Sequence, residues 1–283
     1  MDLTPLLFAI AFLFNFRAAL KLLIDWKGML TTIGFVKEAY GSLDRLPTEA
    51  ALEDDERAPT FLHLVPAYQE PELAGTLAVL FASRYPHGRL HVVVVTKEEE
   101  ERAPHPAMGV ATAELVRRFR AELPPYAQKM LWHLALPGPG RKAEQLNWAL
   151  RPEALREILG ESFDPSRVFV GASDADSLPD PNVYRWIAGE ELCGRGSLAY
   201  QGVTLSLANF ARLNVRGRIS AIQQSSIFIR VSIARLINEF KRVRFIERLC
   251  ARVPRLAPVL RPAFDLFFRR SQICLGHNQF VRL

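Results

Sequence analysis

Two carboxylates that could hold a divalent metal lie one residue apart in the stretch FVGASDADSLPDPN. Asp174 and Asp176 follow directly after an apolar run that has the composition of a buried strand. Carboxylate oxygens are the ligands that Mg²⁺ and Mn²⁺ prefer, and these ions often also bridge to the phosphate oxygens of a substrate. Asp and Ser are also common where a strand turns into a loop, so the pair alone does not distinguish a metal site from an ordinary turn.

A regular alternation of strand and helix patterns surrounds this pair. Apolar, β-rich runs occur at 60–65, 89–95, 129–136 and 167–172, and helical periodicity occurs at 71–83, 111–123 and 141–159. This alternation predicts an α/β fold with a mainly parallel sheet and helices on both faces. Because ligands of such sheets bind beyond the carboxyl ends of the strands, the loops after the strands are expected to carry the functional residues.

Three further loops follow strands and carry polar residues. The loop after the first strand, PAYQEP, offers Tyr68 to a base and ribose, although a simple strand-to-helix turn is the alternative. The acidic run TKEEEE after the second strand is typical of a solvated surface. In GPGRK, after the third strand, Arg141 and Lys142 stand at a helix N-terminus, where they suit a diphosphate. His63 and His133 lie within strand patterns and are expected to be packed core residues.

Composition narrows the class of protein. The chain has 283 residues, 49% of them hydrophobic, which is sufficient for a large α/β domain with a buried core. The three cysteines are widely spaced, which argues against a disulfide framework and against a zinc site.

The basic residues are concentrated in one region. Residues 205–270 contain fourteen Lys/Arg and only three Asp/Glu. The periodicity of 226–249 predicts an amphipathic basic helix, and 257–275 is a second stretch of mixed apolar and basic residues. Because the basic residues alternate with Ile, Leu and Phe at helical spacing, an anionic lipid surface is the expected partner rather than nucleic acid.

The N-terminus is apolar enough to suggest a membrane segment. The run from Pro5 to Phe14 is followed by Arg17 and Lys21. A membrane anchor or interfacial helix is therefore expected at 1–26, with a soluble core helix as the alternative. Positive charge after the apolar run would keep the rest of the chain on the cytoplasmic side of the cell membrane.

Four motifs in order resemble those of the family-two glycosyltransferases. They are V-P-A-Y-x-E-P after the first strand, K-A-x-x-L-N-W-A-L in the third helix, D-A-D after the fourth strand and a late G-H-N. The resemblance extends from about Thr60 to the end of the chain. It implies a GT-A (Rossmann-like) fold, and the apolar and basic helices resemble those of the membrane-attached branch with the cellulose and hyaluronan synthase-like enzymes.

The resemblance also implies roles for individual residues. The residues expected to bind the nucleotide-sugar are Pro66, Ala67, Tyr68, Glu70, Glu98, Lys142, Asn147 and Asp174. Asp174 and Asp176 would bind Mg²⁺ or Mn²⁺, and Gly276, His277 and Asn278 would lie on the acceptor side. Members of the family carry their general base shortly after the last motif, but here no carboxylate follows Asn278, so the base is expected beyond Leu283.

The expected activity is an inverting transfer of a sugar from a UDP- or GDP-linked donor to a hydroxyl group of a glycan or lipid. The expected organisation is an anchor at 1–26, a linker at 27–58, a nucleotide-sugar-binding half at 59–204 and an incomplete acceptor and membrane segment at 205–283. The alternative is a catalytically incomplete protein of the same fold that serves as a membrane-surface scaffold.

Overall fold

The computed structural model describes residues 4–41, 43–102, 109–194, 196–201, 213–227, 237, 245–258 and 279–283. The chain divides into two compact units. One, the sheet unit, comprises residues 43–202 with 275–283, and the other, the helical unit, comprises residues 1–42 with 203–274.

The sheet unit is built on six strands. They are β1 (Thr60–Pro66), β2 (Leu90–Lys97), β3 (Leu131–Leu136), β4 (Val168–Ala172), β5 (Ala199–Gln201) and β6 (Gln279–Arg282). Their order in the sheet is β3-β2-β1-β4-β6-β5. The first four strands pair in parallel, as the strand–helix alternation predicts. β6 is antiparallel to both of its neighbours, β4 and β5, so the sheet is mixed.

The principal helices of the described residues precede β1 or lie between consecutive strands along the chain. They are α1 (Thr4–Gly41), α2 (Glu49–Asp54), α3 (Leu73–Phe81), α4 (Glu98–Arg102), α5 (Thr112–Glu122), α6 (Pro125–Gln128), α7 (Lys142–Ala149), α8 (Pro152–Leu159), α9 (Val183–Leu192) and α10 (Val215–Ile227). The single helix expected at 141–159 is two helices. Pro152 opens α8, because proline fits a first helical turn but disfavours helical backbone at the residue before it.

Side chains that alternate along the strands form two apolar layers. One layer contains Phe61, Val65, Val92 and Phe169, together with residues of α3, α5 and α9. The other contains Leu62, Leu64, Val93 and Val168, together with residues of α7 and α8. Helices therefore cover both faces of the sheet, and complete burial of each of these large side chains stabilises the fold by about 1.5–3 kcal/mol.

A close contact joins β6 to the centre of the sheet. Gly171 in β4 is paired with Phe280 in β6, and Phe280 is almost completely buried. A Cβ atom at position 171 would lie 2.4 Å from Phe280 Cε1 and 3.1 Å from His63 Nδ1. Glycine is therefore needed here for the phenyl ring to lie against the strand.

The N-terminal helix is longer than the sequence suggested. α1 extends to Gly41, well into the range 27–58 that was expected to be a linker. It exposes many large apolar side chains, among them Phe12, Phe14, Leu22 and Trp26. No helix in the described part of the chain is both long and apolar enough to cross a membrane, which leaves the transmembrane prediction without support.

The rest of the predicted linker belongs to the sheet unit. Leu52 of α2 is completely buried in the larger apolar layer, and so is Ala58 just before β1. Of the basic stretches expected to be amphipathic helices, most residues lie outside the described part of the chain. The segment 245–252 is helical.

Candidate functional site

An ion pair joins the start of α7 to the loop after β4. The ammonium group of Lys142 donates a hydrogen bond to Asp174 Oδ1. Both side chains are partly exposed, at 38% and 35%. The two residues are far apart in sequence, and both follow the carboxyl ends of parallel strands. The sequence prediction that these residues meet at one sheet edge therefore agrees with the geometry.

A hydrogen bond from the buried residue Thr76 fixes the loop that carries the two aspartates. Thr76 Oγ1 in α3 donates a hydrogen bond of 2.7 Å to the carbonyl oxygen of Ala175. Ala175 is buried, whereas Asp174 is half-buried and Asp176 is exposed. The backbone N–H of Ser177 donates to the carbonyl oxygen of Asp174 at 3.0 Å, which closes a turn around the motif. The loop thus buries its central residue and leaves the flanking carboxylates accessible.

A third carboxylate lies near this pair. The pKa of Glu70, in the loop after β1, is raised by burial and further by the negative charges of Asp176, Glu72 and Asp174, against a backbone hydrogen bond from Glu72 that lowers it. Coulomb repulsion between neighbouring carboxylates is relieved by a bound cation. The carboxyl edge of the sheet therefore favours a positively charged group beyond Lys142.

Tyr68 and Lys97 form a second part of the same edge. The ring of Tyr68 is 45% exposed, and the ammonium nitrogen of Lys97 lies 4.2 Å from its centroid. Lys97 is the last residue of β2, and its side chain is only 16% exposed. The ammonium also lies 3.5 Å from Glu99 Oε1. An exposed aromatic ring with a poorly hydrated cation beside it can stack with a planar base and donate to its oxygen atoms.

Glu100 holds the Tyr68 loop in its conformation. Gln69 has a φ of 52°, the left-handed region that side chains other than glycine rarely adopt. Its backbone N–H donates to Glu100 Oε1 at 2.8 Å, and the same oxygen accepts hydrogen bonds from the backbone and hydroxyl of Thr112. Glu100 is 2% exposed, so this carboxylate ties the loop after β1 to the start of α5.

Gln145 connects the site to the sheet. Its amide nitrogen donates to the carbonyl oxygens of Ala67 at 3.1 Å and of Val95 at 2.7 Å. Ala67 N–H in turn donates to Val95 at 2.9 Å. Gln145 is buried on α7, one helical turn after Lys142, and therefore fixes that helix against the ends of β1 and β2.

The sequence did not single out Gln145, Glu100 or Lys97. Gln145 lies within the K-A-x-x-L-N-W-A-L motif. The other two lie in the TKEEEE run, whose composition is typical of a solvated surface. Among the glutamates of that run whose burial is described, Glu99 is exposed, Glu98 is half-buried and Glu100 is buried.

The remaining predicted site residues differ in their placement. Asn147 is exposed, and it lies about 140° around α7 from Lys142 at roughly 100° per residue, so the two point in different directions. Pro66 and Ala67 are buried at the end of β1 and shape the turn through their backbone. Gly276, His277 and Asn278 lie outside the described residues.

The histidines in the strands are structural, as expected. His63 is completely buried, and its ring nitrogens lie 2.8 Å from Ser173 Oγ and 2.9 Å from the hydroxyl of Tyr184. Burial lowers the pKa of His63 to about 3, so it is neutral at physiological pH. His133 is half-buried in β3 and lies 2.8 Å from Thr96 Oγ1.

The carboxylates suit a divalent cation only in part. Among the described residues there is no group of three Asp, Glu, His or Cys side chains placed to hold a metal by themselves. Mg²⁺ is commonly bound by one or two carboxylates with the remaining positions taken by water and substrate phosphates. Asp174 and Asp176, as oxygen donors beside Glu70, fit that second arrangement.

Comparisons with known proteins give limited additional information. No protein-family model matches the chain, and no curated protein matches it. Among solved structures, the mannosyltransferase PcManGT from Pyrobaculum calidifontis, in complex with GDP-Man and Mn²⁺, is 20% identical, with 58% of this chain and 44% of that chain covered and a TM-score of 0.29. S. aureus TarS, residues 1–349, is 18% identical, with coverages of 52% and 39% and a TM-score of 0.33. The chain thus spans less than half the length of either structure, and at these TM-scores the similarity carries no argument about its function.

Proposed function

We propose that this chain contains the donor-binding part of a glycosyltransferase that uses a nucleotide-diphosphate sugar. The observation that carries the proposal is the Lys142–Asp174 ion pair, with Asp176 and Glu70 beside it and the exposed ring of Tyr68 on the same edge. A diphosphate flanked by a base and a sugar needs these three things together: a cation-binding pair, an ammonium group and an aromatic surface.

Each residue has a defined role in this proposal. Tyr68 stacks on the base, while Lys142 donates to the diphosphate and balances its charge. Asp174 and Asp176 would hold Mg²⁺ or Mn²⁺, which when bound supplies positive charge to the departing diphosphate. Gln145 and Glu100 keep α7 and the Tyr68 loop in place, so the binding groups need little reorganisation when the donor arrives.

The finer assignments belong to the same proposal. The donor is UDP- or GDP-linked, the transfer inverts the anomeric centre, and the acceptor is a hydroxyl group of a glycan or lipid. We place the reaction at the cytoplasmic face of a membrane. This placement is supported by the exposed apolar side chains of α1 and by the basic composition of residues 205–270.

Titration calorimetry with UDP- and GDP-linked sugars, with and without Mn²⁺, tests the proposal. We expect Mn²⁺-dependent binding of one of the two nucleotides and at least a tenfold loss in Asp176→Asn. Asp54→Asn is the matched control, because Asp54 is an exposed aspartate at the end of α2. Absence of binding to either nucleotide class would reject the enzyme assignment and favour the scaffold alternative.

A further inference from the structure

A cavity lined by charged side chains lies at the amino edge of the sheet, opposite the candidate site. It has a volume of about 220 Å³, and it is lined by Arg57, Pro59, Ser166, Arg167, Phe169, Glu191, Leu192 and Arg282. Pro59 directly precedes β1, Arg167 directly precedes β4, and Arg282 ends the antiparallel β6. The cavity is therefore at the amino ends of the parallel strands, away from Lys142 and Asp174, and it belongs entirely to the sheet unit.

Positive groups outnumber negative ones in its lining. Three guanidinium groups, those of Arg57, Arg167 and Arg282, line the cavity together with one carboxylate, that of Glu191. Arg57 is in addition paired with Asp55, which lies outside the lining. Arginine presents a planar fork of N–H donors that matches phosphate and carboxylate oxygens, and it remains charged at any physiological pH. The lining is therefore that of a site for an anion.

The carboxylate of Glu191 accepts hydrogen bonds from other groups of the protein. Glu191 accepts hydrogen bonds from Arg282 Nη2, from the hydroxyl of Tyr200 at 2.7 Å and from the backbone N–H of Ser197 at 3.2 Å. These contacts fasten the end of α9 to β5 and β6. Glu191 thus neutralises only part of the positive charge around the cavity.

Two of the arginines have their guanidinium groups fixed in place. Arg57 makes a two-point contact with Asp55, at 3.1 Å through Nε and 2.9 Å through Nη2. The guanidinium of Arg282 lies 5.1 Å from the centroid of Phe169, another lining residue. Its Nε atom is buried and has no hydrogen-bond partner within the described residues. A buried N–H group without an acceptor is unfavourable.

The geometry points to this cavity as a binding site for a phosphate group, either the free ion or a small phosphomonoester. Its volume of about 220 Å³ is below the roughly 300–1,000 Å³ typical of small-molecule pockets, which fits a small anion better than a nucleotide. This inference is independent of the proposed glycosyl transfer, because none of the lining residues belongs to the site at the carboxyl edge.

Titration of the whole chain with inorganic phosphate and with glycerol 3-phosphate, with chloride added to hold ionic strength constant, tests the inference. We expect saturable binding by the unmodified chain and at least a tenfold weaker affinity in Arg167→Gln. Arg167 is exposed, so the variant should fold, and circular dichroism verifies this. Arg57→Gln provides an independent second variant, and Arg156→Gln, exposed on α8 outside the cavity, is the matched control.

The variant Lys142→Met distinguishes phosphate binding in the cavity from phosphate binding at the carboxyl edge of the sheet. Phosphate binding that survives in Lys142→Met and is lost in Arg167→Gln supports the cavity. Absence of saturable binding, or binding that is lost in Lys142→Met and kept in Arg167→Gln, would overturn the inference. If glycerol 3-phosphate binds more tightly, the site takes a phosphomonoester; if inorganic phosphate binds as tightly or more so, the site takes the free ion.

Discussion

The two edges of the sheet carry side chains of opposite charge. At the carboxyl edge, Glu70 and Asp176 lie near the Lys142–Asp174 ion pair, whereas at the amino edge three arginines line a cavity together with Glu191. The carboxyl edge therefore favours a bound cation, and the amino edge favours a bound anion. The difference shows that the two edges of one sheet can carry different chemistry, since separate loops and strand ends form them.

The middle of the sheet keeps these edges apart. His63, Phe61 and Phe280 are almost completely buried there, and the only titratable group among them is held neutral. Charges at one edge are thus separated from those at the other by a layer of low polarity. The following predictions test this contrast, from the largest expected effect to the smallest.

Replacement of Lys142 by Met should change metal and donor binding in opposite directions. The substitution removes the ammonium group from Asp174, so the carboxylates should bind Mn²⁺ alone more tightly. The donor diphosphate loses a charged partner, which should weaken its affinity by about 100-fold, or about 2.7 kcal/mol. Calorimetry with Mn²⁺ and then with the donor measures both. Equal weakening of the two would show that Lys142 only maintains the loop structure.

Gly171→Ala should destabilise the sheet unit by about 1–3 kcal/mol, because the new methyl group would press on Phe280 and His63. The midpoint of urea unfolding measures this change. Gly75→Ala is the control, since a Cβ atom at that helical position has no neighbour within 4 Å. An unchanged midpoint in Gly171→Ala would mean that β6 does not pack on β4 as described.

Acidification below pH 6.5 should destabilise the folded chain, because two buried histidines resist protonation in it. Burial lowers the pKa of His63 from 6.5 to about 3 and that of His91 from 6.5 to about 4. Below pH 6.5 the unfolded chain binds protons at these rings and the folded chain does not. The free energy of unfolding should therefore fall as pH decreases from 6.5 towards 4, by up to about 1.4 kcal/mol per pH unit for each histidine.

Urea unfolding at a series of pH values checks that slope. His91→Gln should halve the part of the pH dependence of unfolding that the two buried rings contribute. His87→Gln, four residues earlier in the chain, is the control. A slope in this range that His91→Gln does not alter would contradict the assignment of the effect to these rings.

Lys97→Met should weaken donor binding by about tenfold, or about 1.4 kcal/mol, because the cation beside Tyr68 is lost while the ring remains. Lys129→Met is the matched control, since Lys129 is exposed before β3, at the amino edge. Equal affinity in both variants would show that Lys97 supports the loop without meeting the donor.

The parallel part of the fold was accessible from sequence, because its signals are local. The runs at 60–65, 89–95 and 167–172 correspond to β1, β2 and β4 within two residues, since each is a continuous apolar segment bounded by polar loops. The proximity of Lys142 to Asp174 also followed from the sequence, because both residues lie in segments that follow the carboxyl ends of predicted parallel strands. β6 was not predicted, because four residues carry too little pattern and its pairing depends on contacts distant in sequence.

The residues that support the site could not be found in this way. Glu100 and Gln145 have polar side chains in helices, and only the tertiary fold places them inside. The need for glycine at position 171 likewise depends on a phenyl ring that arrives from the far end of the chain. Sequence patterns thus singled out Lys142 and the two aspartates, whereas Lys97, Glu100 and Gln145 became evident only from the packing.

The late position of β6 in the chain has a consequence for biosynthesis. β5 stands at the end of the sheet with β6 as its neighbour, so Ala199–Gln201 can join the sheet only after Gln279–Arg282 has emerged from the ribosome. The first four strands, in contrast, are complete much earlier and can assemble while translation continues. A nascent chain stalled before residue 279 would therefore carry an exposed β4 edge, where chaperones or neighbouring nascent chains could bind.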